Sequence, residues 1–209
     1  MKSRTLTASL LALALPSLVA AAEPSLEGVA SGLYELEKTH AFLTWTVRHN
    51  GISGYTVNFT DFDADLVFDP ENPTDAQLAV SINPLALNTN YPNAEKKISW
   101  EEELATDVKF LNASEFPEIT FVSTAVEQTG PFEGTVTGDL TFLGVTQPVS
   151  LSVSYGGVAN PPWFGQRDVI GFTAETSLKR SDFGMTSLQN AVSDEVVIEF
   201  SGEFLQAAE

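Results

Sequence analysis

Apolar residues recur at every second position in segment after segment of this chain, and a period of two marks strands with one buried and one wet face. Leu43, Trp45 and Val47 alternate with Thr44, Thr46 and Arg48, and Phe62, Ala64, Leu66 and Phe68 interleave with Asp61, Asp63, Asp65 and Val67. The rhythm returns at Leu78, Val80 and Ile82, at Ile119 and Phe121, and at Val136, Leu140 and Phe142. It continues through Val149 to Tyr155, through Ile170, Phe172 and Ala174, and through Val196 to Phe204. Strings such as Asp69-Pro70-Glu71-Asn72-Pro73 and Thr129-Gly130-Pro131 punctuate the runs with turns. The pattern predicts an all-β protein of about eight or nine long antiparallel strands. One stretch departs from it: between Asn93 and Ser114, Ile98, Glu101, Glu102, Leu104 and Ala105 follow a helical period, and Phe116-Pro117 closes the segment. A short helical insertion is expected there. Such strands close either as a two-sheet sandwich or as a single barrel, and periodicity does not choose between them. In an eight-stranded barrel the apolar faces turn inward and can enclose one elongated ligand.

Residues 1–22 read as an export signal, with Lys2 and Arg4 ahead of an apolar run from Leu6 to Leu15 and small residues at Val19-Ala20-Ala21-Ala22. The run is shorter than the roughly 20 apolar residues of a membrane span, so a stable membrane anchor is not expected. The predicted product is residues 23–209 as one domain, periplasmic or secreted. Twenty-eight acidic against ten basic residues give a net charge of −18, which makes nucleic acid and anionic membrane surfaces unfavoured partners. The chain has no cysteine, so disulfides, thiolate metal sites and thiol nucleophiles are excluded.

The remaining chemistry-bearing residues give weak signals. His40 and His49 are nine positions apart and would face opposite sides of a regular strand, so a shared metal would need a bulge and a third ligand; neither a metal nor a catalytic residue is predicted. Asp61, Asp63 and Asp65 start like a calcium loop, but Leu66 stands where glycine is required and Asn72 where a bidentate glutamate is required. Gly51-Ile52-Ser53-Gly54 lacks the spacing of a nucleophile elbow. Glu101-Glu102-Glu103 is expected to be solvated surface, and Trp100 to plug one end of the core. Arg180 and Asp182 flank the apolar Phe183-Gly184-Met185 and suit either an ion pair or a polar head group.

Longer strings carry more information. Tyr34-Glu35-Leu36-Glu37-Lys38-Thr39-His40, Val47-Arg48-His49 with Gly51, Glu115-Phe116-Pro117-Glu118-Ile119-Thr120-Phe121 and Gly138-Asp139-Leu140-Thr141-Phe142-Leu143-Gly144-Val145-Thr146-Gln147-Pro148-Val149 occur in that order. They are followed by Gly171-Phe172 and Lys179-Arg180-Ser181-Asp182-Phe183-Gly184-Met185. Together they resemble the YceI-like family of periplasmic polyisoprenoid-binding proteins from about Tyr34 to Phe204. The chain departs from the family pattern at Ala41 and at Tyr91-Pro92-Asn93-Ala94. The resemblance implies a lipocalin-like antiparallel eight-stranded barrel with a helical element, whose lumen carries a long isoprenoid, a quinone or a fatty-acid derivative.

Combined with inward parity, this resemblance predicts a ligand-binding lumen lined by Trp45, Phe59, Phe62, Leu66, Phe68, Val80, Ile82, Phe121, Phe142, Phe172, Ala174 and Phe183. His49, Arg180 and Asp182 are the candidate head-group contacts. The expected partner is an apolar small molecule, with no cofactor; a homodimer is left open. The competing readings are an enzyme acting on an amphiphile through His40 or His49, and a packed barrel serving as an interaction module. The signal predicts that intact-mass analysis of exported protein finds an N-terminus at Glu23; exported protein retaining Met1 would overturn it.

Overall fold

The structure, a computed structural model, describes residues 24–208. The expected signal at 1–22 lies outside the described residues. Among the described residues, ten strands and one α-helix follow the order β1 (Gly32–His49), β2 (Ser53–Phe59), β3 (Phe62–Phe68), β4 (Gln77–Ile82), β5 (Leu87–Asn88), α1 (Ala94–Thr106), β6 (Ile119–Gln128), β7 (Glu133–Phe142), β8 (Val145–Ala159), β9 (Val169–Lys179) and β10 (Val192–Gln206). All neighbours are antiparallel, and the pairing of β1 with β10 closes the sheet into a barrel. Eight strands make the closed ring: β1, β3, β4, β6, β7, β8, β9 and β10.

The two additional strands arise from a bend. β3 pairs with the start of β1, from Gly32↔Phe68 to Glu35↔Asp65, and β2 pairs with its far half, from Leu43↔Phe59 to His49↔Ser53. β2 and β3 thus lie in succession along one edge of β1, interrupted at Thr60-Asp61. β5 extends this side by pairing with β2, whereas β6 pairs with β4, so the wall is open between β5 and β6. α1 covers the opening, with Leu104 and Ala105 buried against Val57 and Leu87. Asn93 caps the helix by accepting from the Lys96 amide at 2.9 Å. The helix stops at Thr106 rather than running toward Ser114, because the Asp107 carboxylate accepts the Lys109 amide at 2.9 Å and turns the chain. At the β7–β8 hairpin, Leu143 (φ 49°) and Gly144 (φ 72°) both adopt positive φ, as a two-residue turn matched to strand twist requires.

The end of the barrel where β1 begins is locked by a polar cluster. The buried Tyr34 hydroxyl donates to the Ala30 carbonyl at 2.6 Å and lies 3.3 Å from Asp168, whose carboxylate also accepts the Ala30 amide at 2.7 Å. Tyr155 donates to the Ser25 carbonyl at 3.0 Å. Burial, and then the neighbouring Asp168 carboxylate, push the Tyr34 hydroxyl well above its ordinary range and that of Tyr155 up to about 12. Both are therefore fixed hydrogen-bond donors at any physiological pH.

Midway along the barrel, Phe121 lies across Gly138. A Cβ at position 138 would fall on the Phe121 ring and 2.5 Å from the Val122 carbonyl oxygen. Val80 stands opposite Phe121 in the β4–β6 pairing and packs against its cluster, and Phe62 meets Phe200 edge-on at 6.4 Å. Gly138→Ala should therefore destabilise the protein by about 1–3 kcal/mol, the range of core overpacking. Phe121→Leu in the same chain should recover part of that loss in a double-mutant cycle. Chemical denaturation checks both.

Candidate functional site

The barrel's interior is divided at the level of Phe121. On β4, Leu78 borders a smaller chamber and Ile82 a larger one, with Val80 between them bordering neither. β7 repeats the arrangement with Val136, Gly138 and Leu140. The smaller chamber, about 150 Å³, lies among Leu66, Phe68, Leu151, Val153, Phe172, Ala174 and Phe204. Glu127 and Glu133 stand in its lining beside Pro131. The larger chamber, about 460 Å³, is walled by Leu43, Trp45, Phe59, Ile82, Leu140, Phe142, Leu178 and Ile198, and roofed by Trp100, Leu104, Phe110 and Leu111 around α1.

Its lining is apolar except at one place. The exposed members, His49, Ser53, Gly54, Tyr91 and Leu188, come from the β1–β2 turn, the approach to α1 and the β9–β10 loop, and so mark the mouth. Buried Arg180 borders the chamber and holds the β9–β10 loop in place: its guanidinium donates to the carbonyls of Met185, Ser187, Val192 and Ser193 at 2.6–3.3 Å. Four of its five N–H groups are spent on the backbone. On the opposite wall Trp100 donates to the Tyr55 hydroxyl at 2.7 Å and stacks edge-on against Phe110. The Trp45 ring borders the chamber, while its Nε1–H is buried with no hydrogen-bond partner among the described residues.

The YceI-like domain matches residues 34–204. The proteins named "Protein YceI" of Salmonella arizonae and Salmonella enteritidis PT4 are 37% identical over 175 residues, covering 83% of this chain and 86% of theirs. This chain belongs to the YceI-like family. Among solved structures, Burkholderia cenocepacia BcnA aligns with a TM-score of 0.69 at 19% identity, over 82% of this chain and 99% of that one. The Campylobacter jejuni YCEI protein aligns at 0.62 with 28% identity, over 75% and 88%. A domain described as polyisoprenoid-binding from Saccharophagus degradans aligns at 0.60 with 13% identity, over 84% and 98%.

Within this YceI-like barrel the residues expected to line the lumen fall into three groups. Trp45, Phe59, Ile82 and Phe142 border the larger chamber, and Leu66, Phe68, Phe172 and Ala174 the smaller. Phe62, Val80, Phe121 and Phe183 border neither. Val80 and Phe121 stand at the partition, Phe62 packs against Phe200, and Phe183 is held against Phe142 at 5.7 Å by the turn Arg180–Phe183. Of the head-group candidates, His49 and Arg180 border the larger chamber, while Asp182 is exposed and borders neither. The carboxylate that organises this turn is Asp194, which accepts from the Ser181 amide and hydroxyl at 3.0 and 2.7 Å. Trp100 does more than plug the core, since it also borders the larger chamber. Glu101 is not simply solvated, because it accepts from the amide and hydroxyl of Thr89 at 2.6 and 2.9 Å. Leu140 and Leu178 share inward parity with Phe142 and Ala174 and were findable by the same rule. Phe110 and Met185 come from irregular segments, where no periodicity points to a face.

His40 lies on the outer wall, outside the linings of both chambers. A bulge in β1 between Glu37 and Ala41 brings it to Glu37, at 2.5 Å, and Glu203, at 3.9 Å, so the strand irregularity supplies neighbours that regular parity denied it. The Glu37 hydrogen bond raises His40 above its ordinary 6.5. Burial opposes ionisation of Glu37, but its bonds to Thr39 and His40 outweigh that and hold it below its ordinary 4.5. His40's contribution to stability is therefore complete below pH 6.5 and is lost as pH rises through the raised value, and Glu37's is lost as pH falls through its depressed one. An NMR titration should place the His40 midpoint above 6.5 and return it toward 6.5 in Glu37→Gln. An unchanged midpoint in that variant would break the assignment.

Proposed function

We propose that this protein holds a long isoprenoid or related amphiphile, such as a polyprenyl chain, a quinone or a fatty-acid derivative, in its lumen. It carries or stores that molecule outside the cytoplasm, in the periplasm or as a secreted protein. The observation that carries the reading is the apolar chamber of about 460 Å³, whose polar members His49, Ser53 and Arg180 gather toward its mouth. An engineered apolar cavity of about 150 Å³ already takes up benzene, and this one is about three times larger. The family and the polyisoprenoid-binding description of the Saccharophagus neighbour support the same reading, and the export signal expected from the sequence of residues 1–22 agrees with the compartment.

Magnitudes assign the roles of chain and head. Each buried methylene contributes about 0.8 kcal/mol, so one five-carbon unit contributes on the order of 4 kcal/mol. A single neutral hydrogen bond contributes about 0.5–1.5 kcal/mol net. The chain supplies the affinity. His49 and Ser53, with the Arg180 charge behind them, set the orientation with the head at the mouth. Binding is favoured over catalysis because His40, which has a carboxylate partner, stands on the outside of the barrel, and His49, at the mouth, bonds to the Asn50 amide.

Protein purified gently from its own host should show, in native mass spectrometry, an apolar adduct released by organic solvent. Leu178→Trp, which fills the larger chamber, should reduce the adduct severalfold, whereas Thr173→Trp on the exposed face of β9 should leave it unchanged. A chain long enough to pass Phe121 also loses occupancy in Ala174→Trp. Wild-type protein that neither carries nor takes up any such molecule would refute the reading.

A further inference from the structure

The two ends of the barrel differ in a way that overall composition hides. In a chain with 28 acidic residues, the three segments around the large chamber's mouth, 49–60, 83–94 and 183–193, contain no aspartate or glutamate. The small chamber's lining holds Glu127 and Glu133, and the neighbouring turn carries Asp69, Glu71 and Asp75. The mouth instead presents apolar side chains to water: Ile52 is 81% exposed and Leu188 49%, with Tyr91 beside them at 38%. Tyr91 and Leu188 also border the chamber, so the lumen's apolar lining reaches exposed side chains at its mouth. Arg48 and His49 stand on that rim, the acids Asp61, Glu95, Asp182 and Asp194 begin directly beyond the three segments, and the Arg48 guanidinium binds the Gly51 carbonyl at 2.9 Å, bracing the turn that carries Ile52.

We infer that this rim is a docking face for a phospholipid membrane, which it meets mouth-first so that an apolar chain crosses between bilayer and lumen without entering bulk water. The inference rests on the lumen being a lipid site. Bilayer surfaces with anionic lipids repel carboxylates, so a protein of net charge −18 can approach one only through a face that lacks them. Exposed aliphatic tips with a tyrosine beside them suit shallow insertion at the headgroup boundary. Three such side chains make a contact that is transient rather than an anchor, as repeated delivery requires. A protein partner would not need the rim to be continuous with the lumen or free of acids.

Two measurements separate this inference from the reading beneath it. In the first, the mature protein is mixed with a fluorescent polyprenol, and uptake alone tests the lumen. Transfer from loaded protein to vesicles of phosphatidylethanolamine and phosphatidylglycerol at 3:1 then tests the face. The transfer rate should rise in proportion to vesicle concentration, and Ile52→Asp should cut that slope at least fivefold with uptake unchanged. Trp163→Ser, at the opposite end and 76% exposed in the native protein, should leave the slope alone. A rate independent of vesicle concentration, an unaltered slope in Ile52→Asp, a loss in Trp163→Ser, or transfer that requires membrane proteins would each overturn the docking face. The second measurement needs no ligand. Ile52→Trp made together with Trp163→Phe should lose fluorescence on vesicles carrying brominated acyl chains, relative to Trp163→Phe alone; equal quenching in the two would also overturn it.

Discussion

The closure of β1 on β10 is the constraint from which the rest follows. β1 spans 18 residues and pairs with β10 along one edge and with β3 and then β2 along the other. Closure pairs both edges of β1 and turns every second side chain toward a common axis. It also forces a choice at the bend between β2 and β3. Once β5 follows β2 and β6 follows β4, the wall must part, and α1 fills that gap. The helix is therefore both a structural patch and the roof of the larger chamber.

Filling differs sharply between the two halves of one lumen. Near the start of β1, Phe68, Phe172, Phe200, Phe204 and Tyr155 meet one another at ring-centroid distances of 5.4–6.1 Å and consume most of the space. Edge-on and tilted aromatic pairs of this kind add about 0.5–1.5 kcal/mol each beyond burial. Toward the mouth the inward positions are mainly aliphatic, with Leu43, Leu140, Leu178, Val196 and Ile198 on the walls. Aliphatic side chains of that size do not reach the axis, and the chamber stays open. The packed half supplies stability, and the aliphatic half supplies capacity.

Polar groups are concentrated where the chain must be held rather than where the ligand chain would lie. Arg180 spends its donors on the loop that forms one side of the mouth, and Asp168 ties Tyr34, Ala30 and Asn160 at the other end. Removing either would leave buried carbonyls or amides without partners, a cost of about 1–3 kcal/mol for each group. The apolar interior can remain apolar because the end structures carry the hydrogen bonding.

Period-two alternation by itself determined the β class, the inward face of each strand and the interruption near Asn93, because side-chain direction in a strand is fixed by position parity. It also placed eight of the twelve expected lining residues, Trp45 and Phe172 among them, beside a chamber. Barrel rather than sandwich was not legible in periodicity, since both architectures bury one face of each strand; the family resemblance supplied it, and the β1–β10 pairing shows it. Parity says which way a residue points and nothing about height along the axis or what lies opposite. Only the tertiary structure could therefore turn Phe121 and Gly138 into a partition, bring Phe110 and Met185 from irregular segments to the chamber, and set Glu37 and Glu203 beside His40 through a bulge. Those outcomes depend on contacts between residues far apart in the chain, and such contacts are decided by how the closed sheet packs rather than by any local pattern.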